Sequence, residues 1–238
     1  MTELDYGSFD ALTFDCYGTL IDWETGILAA LRTVLPADTP AADDETLLAE
    51  YANAESALEA GLYTRYRVLA GEAMAAVARA HGVDPSPDDV ARLGGSVADW
   101  PAFPDSHAAL GQLHGRFRLG VLTNCDDDLF AASERRLGVD FDWVVTAQQV
   151  GSYKPDERNF HALLDRLGRD GVPPDRILHV AQSLYHDHAP AQRLGLHSVW
   201  IDRRAGQGGG GATPPSDARP DATFPSMVAF AEAAAPQD

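Results

Sequence analysis

The sequence predicts an α/β fold, a doubly wound parallel sheet carrying an inserted all-helical cap domain. Three features point there. From Phe117 onward, apolar runs of strand length alternate with helix-period stretches, the pattern of a parallel sheet with helices on both faces. The stretch from Pro40 to Trp100 breaks that alternation, being rich in Ala, Leu and Glu at helical spacing with no strand signal. Chemically versatile side chains follow four of the apolar runs, and open parallel sheets bind ligands at the carboxyl ends of their strands.

Taken in order, Asp10 to Asp15 is an apolar run closed by an acid and reads as a buried strand. Gly18 and Thr19 turn the chain, and Ile21 to Leu35 is helix-like. In the insert, Leu47, Leu48, Tyr51, Ala54 and Leu58 recur at helical spacing, and Val68, Leu69 and the Ala-rich stretch Glu72 to Ala80 continue the pattern. Strands are then expected at Phe117–Thr123, Trp143–Thr146, Ile177–Ala181 and Ser198–Ile201, with helices at Asp128–Leu137, Glu157–Leu167 and Ala189–Leu194. Met227 to Ala235 reads as a short closing helix. Gly206 to Pro215, with its run of four glycines, reads as a flexible loop. It lacks the strand, lysine and helix of a phosphate-binding loop. The expected division is 1–22 plus 101–238 for the α/β core and 23–100 for the cap, and 238 residues suffice for both.

Composition narrows the function. A net charge of −18 argues against nucleic acid and anionic membranes as partners. An anionic ligand needs a local cation or a pocket rich in N–H groups to overcome that field. No apolar run is long enough to span a bilayer, and the polar, acidic start has no basic stretch of a signal peptide, so the expected location is cytoplasmic. Cys16 and Cys125 form no CxxC pattern and have no histidine at zinc-ligand spacing. They read as reduced thiols.

The residues that carry chemistry sit at strand ends: Asp15; Thr123 and Asn124; Lys154; and Gln182, Ser183 and Asp187. Singly, each has an ordinary explanation, since an Asp after a strand commonly caps a helix and a lone lysine is commonly at the surface. Four such ends in this order would converge on one crevice. His186 and His188 flank Asp187, but at the opening of a helix their side chains point well apart, which disfavours a metal site. One of them, or Tyr185, would line the crevice. Trp23, Trp100 and Tyr63 are candidates for its apolar wall or for core packing.

Phe14-Asp15-Cys16-Tyr17-Gly18-Thr19-Leu20, Leu122-Thr123-Asn124, Lys154-Pro155-Asp156 and Asp187 resemble the four motifs of the haloacid dehalogenase superfamily over nearly the whole chain, helical cap included. The first motif is similar to that of the L-2-haloacid dehalogenase branch, where a tyrosine in the place of Tyr17 is usual. The resemblance implies that Asp15 attacks the α-carbon of a small anionic haloacid, expels halide and forms an aspartyl ester that water cleaves. It implies that Lys154 neutralises and orients Asp15, and that Asp187 anchors Lys154 or positions water. Tyr17, Thr19, Thr123, Asn124 and Gln182 would contact the substrate, no cofactor would be required, and the protein would be a homodimer.

Two departures from the superfamily's phosphatases favour this branch. Phosphatases carry an acid two residues after the nucleophile to protonate the leaving alkoxide. That place holds Tyr17, a weak acid, and halide leaves without a proton. Their fourth motif has a further acid that helps hold magnesium, and here it is Gln182. Asp15, the Tyr17 carbonyl and Asp187 would then bind a metal only weakly. Other positions depart from the dehalogenase branch. The place of its halide-receiving cap arginine falls near Glu50, with Arg65 or Arg67 as substitutes, and Arg65 is taken as substrate-binding. The branch's aromatic hydroxyl after the lysine is Phe160, and its Ser and Asn of the fourth motif are Gln182 and Leu184. A divergent phosphatase of a small phosphate ester and a catalytically silent binding protein of the same fold remain the alternatives.

Overall fold

Four residues, Ala11–Phe14, form β1 and are buried along its whole length. The computed structural model describes residues 4–36, 43–206 and 212–236, and β1 sits at the centre of its six-stranded sheet. The other strands are β2 (Arg118–Thr123), β3 (Trp143–Thr146), β4 (Ile177–Ala181), β5 (His197–Ile201) and β6 (Ala222–Phe224). Their spatial order is β3-β2-β1-β4-β5-β6, with every neighbouring pair parallel. The chain winds outward from β1 to β3, then crosses back to build the other half from β4. That reversal opens a crevice at the carboxyl ends of β1 and β4.

Alternation along the strands serves two cores. Leu12, Phe14, Leu119, Val121, Leu178, Val180, Val199 and Ile201 join the larger one. Ala11, Leu122 and Ile177 join the second, with Phe160, Leu163 and Leu167. Apolar residues at both parities are what a sheet covered on both faces requires.

Helices follow where side chains satisfy the orphan amides of the first turn. Asp22 caps α1 (Trp23–Leu31) and Asp43 caps α2 (Asp44–Glu59). After α3 (Tyr66–Ala80), Ser86 and Asp89 form a reciprocal capping box, with Pro87 in the first turn, for α4 (Pro87–Gly95). The α3–α4 contact depends on small residues. A Cβ on Gly94 would lie 1.9 Å from the Arg67 carbonyl oxygen, and one on Gly71 2.5 Å from that of Val90. The remaining helices are α5 (Ser106–His114), α6 (Asp127–Leu137), α7 (Ala147–Val150), α8 (Glu157–Arg169), α9 (Ala189–Arg193) and α10 (Met227–Ala234). Between β1 and β2 the cap is helical, as expected.

Several differences from the sequence reading have physical causes. The helix expected over Ile21–Leu35 is confined to α1, because Ile21 is held in bridges to Tyr17 and Ala102. Leu58, assigned to the apolar face of α2, is 40% exposed; the buried face is Leu47, Leu48, Tyr51, Ala52 and Glu55. Three elements went unread, the single-turn helix α7 among them. The helix α5 has a weak apolar pattern broken by Gly111 and is fixed by packing on α10, with Gln112 and Arg116 donating to carbonyls there. The strand β6 is three residues long. Leu184–His188 forms one wide π turn ahead of α9. Residues 207–211 of the glycine-rich loop lie outside the described residues. No described helix is long and apolar enough to cross a membrane, and Cys16 and Cys125 are both buried and free.

Candidate active site

Asp15 follows β1 directly, and the turn after it folds back on the carboxylate. Gly18 makes that turn possible: its φ is +91°, and a Cβ there would crowd Trp23 Nε1 at 3.1 Å and Gln182 Oε1 at 3.2 Å. Thr19 thereby donates to Asp15 Oδ2 at 2.6 Å, while its Oγ1 accepts the Gln182 amide at 2.9 Å.

Lys154 approaches from the loop between α7 and α8, beyond the end of β3. Asn124, at the end of β2, holds that loop, accepting the Lys154 amide at 2.7 Å and donating to the Lys154 carbonyl at 3.1 Å. The lysine Nζ donates to Asp15 Oδ1 at 2.9 Å, Asp187 Oδ1 at 2.7 Å and the Leu122 carbonyl at 2.9 Å. All its donors are engaged. His179 Nε2 donates to the same Asp187 oxygen at 3.0 Å. Asp187 Oδ2 and the Thr123 hydroxyl are buried with no hydrogen-bond partner among the described residues.

Burial dominates the electrostatics of this cluster and the ion pairs answer it. Burial pushes the Asp15 carboxyl above its ordinary pKa, with Lys154 pulling the other way. Burial also works against charge on Lys154, but Asp15 and Asp187 outweigh it and hold the ammonium protonated. Asp187 is buried too, yet Lys154 and His179 keep its carboxyl well below the usual range.

A cavity stands over Asp15, lined by core residues including Tyr17, Asn124, Gln182 and His186, and by Trp23, Glu55, Glu59 and Tyr66. Glu55 and Glu59 lie one turn apart on α2. Tyr51 and Tyr66 donate to Glu55 Oε1 at 2.9 and 2.8 Å. Asn124 donates to Glu59 Oε1 at 3.1 Å, and His186 Nε2 stands 3.3 Å from Glu59 Oε2. That last contact is within ion-pair distance but off the hydrogen-bonding direction, so Nε2 has no aligned partner among the described residues. Glu55 is raised to about 7 by burial and then by Glu59. The α3 N-terminus docks on the core through Asp126, which accepts the Tyr66 and Arg67 amides at 3.0 Å each.

Of the residues read from sequence, Asp15, Lys154 and Asp187 meet in one cluster, and Tyr17, Asn124 and Gln182 line the cavity. Thr19 touches Asp15 from behind, and Thr123 is buried at the end of β2. Arg65 is a correction. With Asp126 drawing the next two amides inward, Arg65 is left exposed at the head of α3, away from the cavity. Arg67 pairs with Asp128 at 2.6 Å, and Glu50 pairs with His81. Tyr17 turns its hydroxyl to Ser133 at 2.9 Å and to Cys125 Sγ at 3.3 Å. Phe160 packs on His179. His188 serves structure, bonding Ser198 and the Ala181 carbonyl, whereas His186 lines the cavity. Glu55 and Glu59 were missed, although Tyr51, Glu55 and Glu59 at steps of four put two acids in line with a buried tyrosine. Among the described residues no group of three or more His, Cys, Asp or Glu side chains is arranged to hold a metal.

Asp15, Lys154 and Asp187 at the carboxyl ends of a doubly wound sheet, under a helical cap, form the arrangement of a hydrolase class. Residues 9–195 match the family model of the haloacid dehalogenase-like hydrolases, and the chain belongs to that family. It is 26% identical to (S)-2-haloacid dehalogenase 4A of Burkholderia cepacia over 207 residues, 83% of this chain and 84% of the relative. It is also 26% identical to (S)-2-haloacid dehalogenase 1 of Pseudomonas sp. (strain CBS-3), over 81% and 84%. Among solved structures, the L-2-haloacid dehalogenase from Xanthobacter autotrophicus with chloropropionic acid covalently bound has the same fold, with TM-score 0.77 at 18% identity, covering 94% of this chain and 97% of that one.

Proposed function

We propose that the protein hydrolyses the carbon–halogen bond of a small 2-haloacid through an ester on Asp15. The observation that carries this reading is the state of Tyr17. In the place where a phosphatase of this family needs an acid, its hydroxyl is tied to Ser133 and Cys125, and burial raises it well above an ordinary phenol. A leaving group must therefore depart as a weak base, as halide does. The (S)-2-haloacid dehalogenase relatives support the same substrate class. A phosphate dianion would meet Asp15, Asp187, Glu55 and Glu59 with Lys154 already fully bonded.

An Asp15 carboxylate oxygen attacks the halogen-bearing carbon; a C–O bond forms and the C–X bond breaks, its electron pair leaving with halide. Lys154 and Thr19 hold the carboxylate in place. Gln182, which lines the cavity beside Asp15, is a core side chain placed to meet the substrate carboxylate. Water then adds to the carbonyl carbon of the Asp15 ester, releasing a 2-hydroxy acid and restoring the carboxylate with loss of one proton. Asp187 anchors Lys154 through Oδ1, and His186 lines the same cavity.

Halide release tests this, using chloro- and bromoacetate and both 2-chloropropionate enantiomers without added metal, with Asp15→Asn alongside. Halide from the wild type and none from the variant is the expected result. Phosphate from phosphate esters in magnesium, with no halide from any haloacid, would overturn it.

A further inference from the structure

The cavity over Asp15 holds more negative charge than the reaction uses. Asp15, Asp187, Glu55 and Glu59 all line it, and among the described residues Lys154 is its sole lysine or arginine. Lys154 has no donor left for a ligand. Asp15 and Asp187 belong to the chemistry above, whereas Glu55 and Glu59 come from the cap and have no part in it. Two carboxylates one helical turn apart, in a largely buried position, repel each other and cost stability unless a cation answers them.

Independent features of the cavity call for the same kind of ligand. Asp187 Oδ2, fully buried in the cavity wall, is an acceptor without a partner among the described residues. Trp23 and Tyr66 supply aromatic surface of the kind that receives cations. The field has one sign as well. Burial alone lowers the pKa of a buried lysine or histidine. Lys154 and His186 are nonetheless both raised, Lys154 by Asp15 and Asp187, His186 chiefly by Glu59 with Asp187 and Glu55. Bases displaced upward against burial report a negative potential, which favours a ligand that carries a cation.

We propose that the substrate is a 2-haloacid whose side chain carries an ammonium group, with Glu55 and Glu59 of the cap receiving that group while the halogen-bearing carbon lies at Asp15. The inference rests on the dehalogenase reading and names its substrate class. Such a zwitterion brings no net charge into the cavity, and its N–H groups meet the carboxylates that Lys154 leaves unpaired.

Binding and turnover separate this inference from the reading beneath it. The binding arm uses Asp15→Asn protein and calorimetry with 4-aminobutanoate and pentanoate, which share a shape and differ in the ammonium. The expected preference for 4-aminobutanoate is on the order of tenfold. Glu55→Gln with Glu59→Gln should erase it by weakening 4-aminobutanoate while leaving pentanoate unchanged. Glu59→Gln alone, which keeps both tyrosine bonds to Glu55, should narrow it. Equal binding of the two acids, or a preference that survives the double variant, would overturn the ammonium site. The turnover arm compares chloride release by Asp15-intact protein from 4-amino-2-chlorobutanoate and 2-chloropentanoate, against an enzyme-free control. A kcat/KM preference for the amino acid of similar size is expected. No chloride from either would sink the dehalogenase reading, while calorimetry still decides the ammonium site.

Discussion

The floor of the cavity and its ceiling present the same kind of side chain, a pair of carboxylates, and differ in what balances it. On the sheet edge, Asp15 and Asp187 share Lys154, and every lysine donor is used. On the cap, Glu55 takes two tyrosine hydroxyls, and Glu59 takes an amide with an imidazole nearby. The floor is a closed set of ion pairs built to hold one carboxylate in place. The ceiling is left short of positive charge. In the proposed reaction the strand ends carry the chemistry, and in the proposed ammonium site the helices above them set substrate choice.

Breaking the floor should have the largest effect. Lys154→Met leaves Asp15 and Asp187 buried without their counter-ion, so it should abolish turnover and cost about 3–5 kcal/mol of stability in urea unfolding. Full stability in that variant would mean the lysine is not the charge partner of both acids.

The ceiling should respond to pH instead. Glu55 is raised to about 7, so its folded state favours the protonated form. The stability this contributes is complete below the ordinary glutamate pKa and is lost as pH rises through about 7. Glu55→Gln has no charge to bury. Its stability relative to wild type should therefore grow by about 2–3 kcal/mol between pH 5 and pH 8, read from urea midpoints. A difference independent of pH would show that Glu55 is ionised throughout.

The smallest effect is expected at Tyr17, which lines the cavity but spends its hydroxyl on the core. Tyr17→Phe should keep kcat within about threefold and lose about 1 kcal/mol from the Ser133 bond. A fall of about a hundredfold or more would make the phenol a proton donor in the reaction.

The same contrast separates what could be read from the sequence from what could not. The floor was legible because each of its residues follows a strand, and strands of four to six apolar residues announce themselves: β3 and β4 lie where the pattern put them. Asp15, Lys154 and Asp187, far apart in the chain, meet because a doubly wound sheet brings its carboxyl ends to one line. The ceiling was not legible by that rule. The apolar stripe of α2 extends into Glu55, an acid that a hydrophobic pattern assigns to solvent, and burial there depends on Tyr66 arriving from α3. Arg65 is a cation at the head of the cap in sequence, but Asp126, which draws in the amides of Tyr66 and Arg67, decides that it faces out. The short strand β6 and the helix α5 owe their existence to neighbours rather than to local pattern.

The covalent role of Asp15 is the claim on which the rest depends, and a single turnover in H₂¹⁸O with enzyme in excess over 2-chloropropionate tests it most directly. Water that cleaves an aspartyl ester attacks its carbonyl carbon, so ¹⁸O should enter the Asp15 carboxylate and be found by mass spectrometry in the peptide containing it, with the released 2-hydroxy acid unlabelled. Label in the hydroxyl of the product, with the Asp15 peptide unchanged, would mean that water attacks the substrate itself and that Asp15 is not the nucleophile.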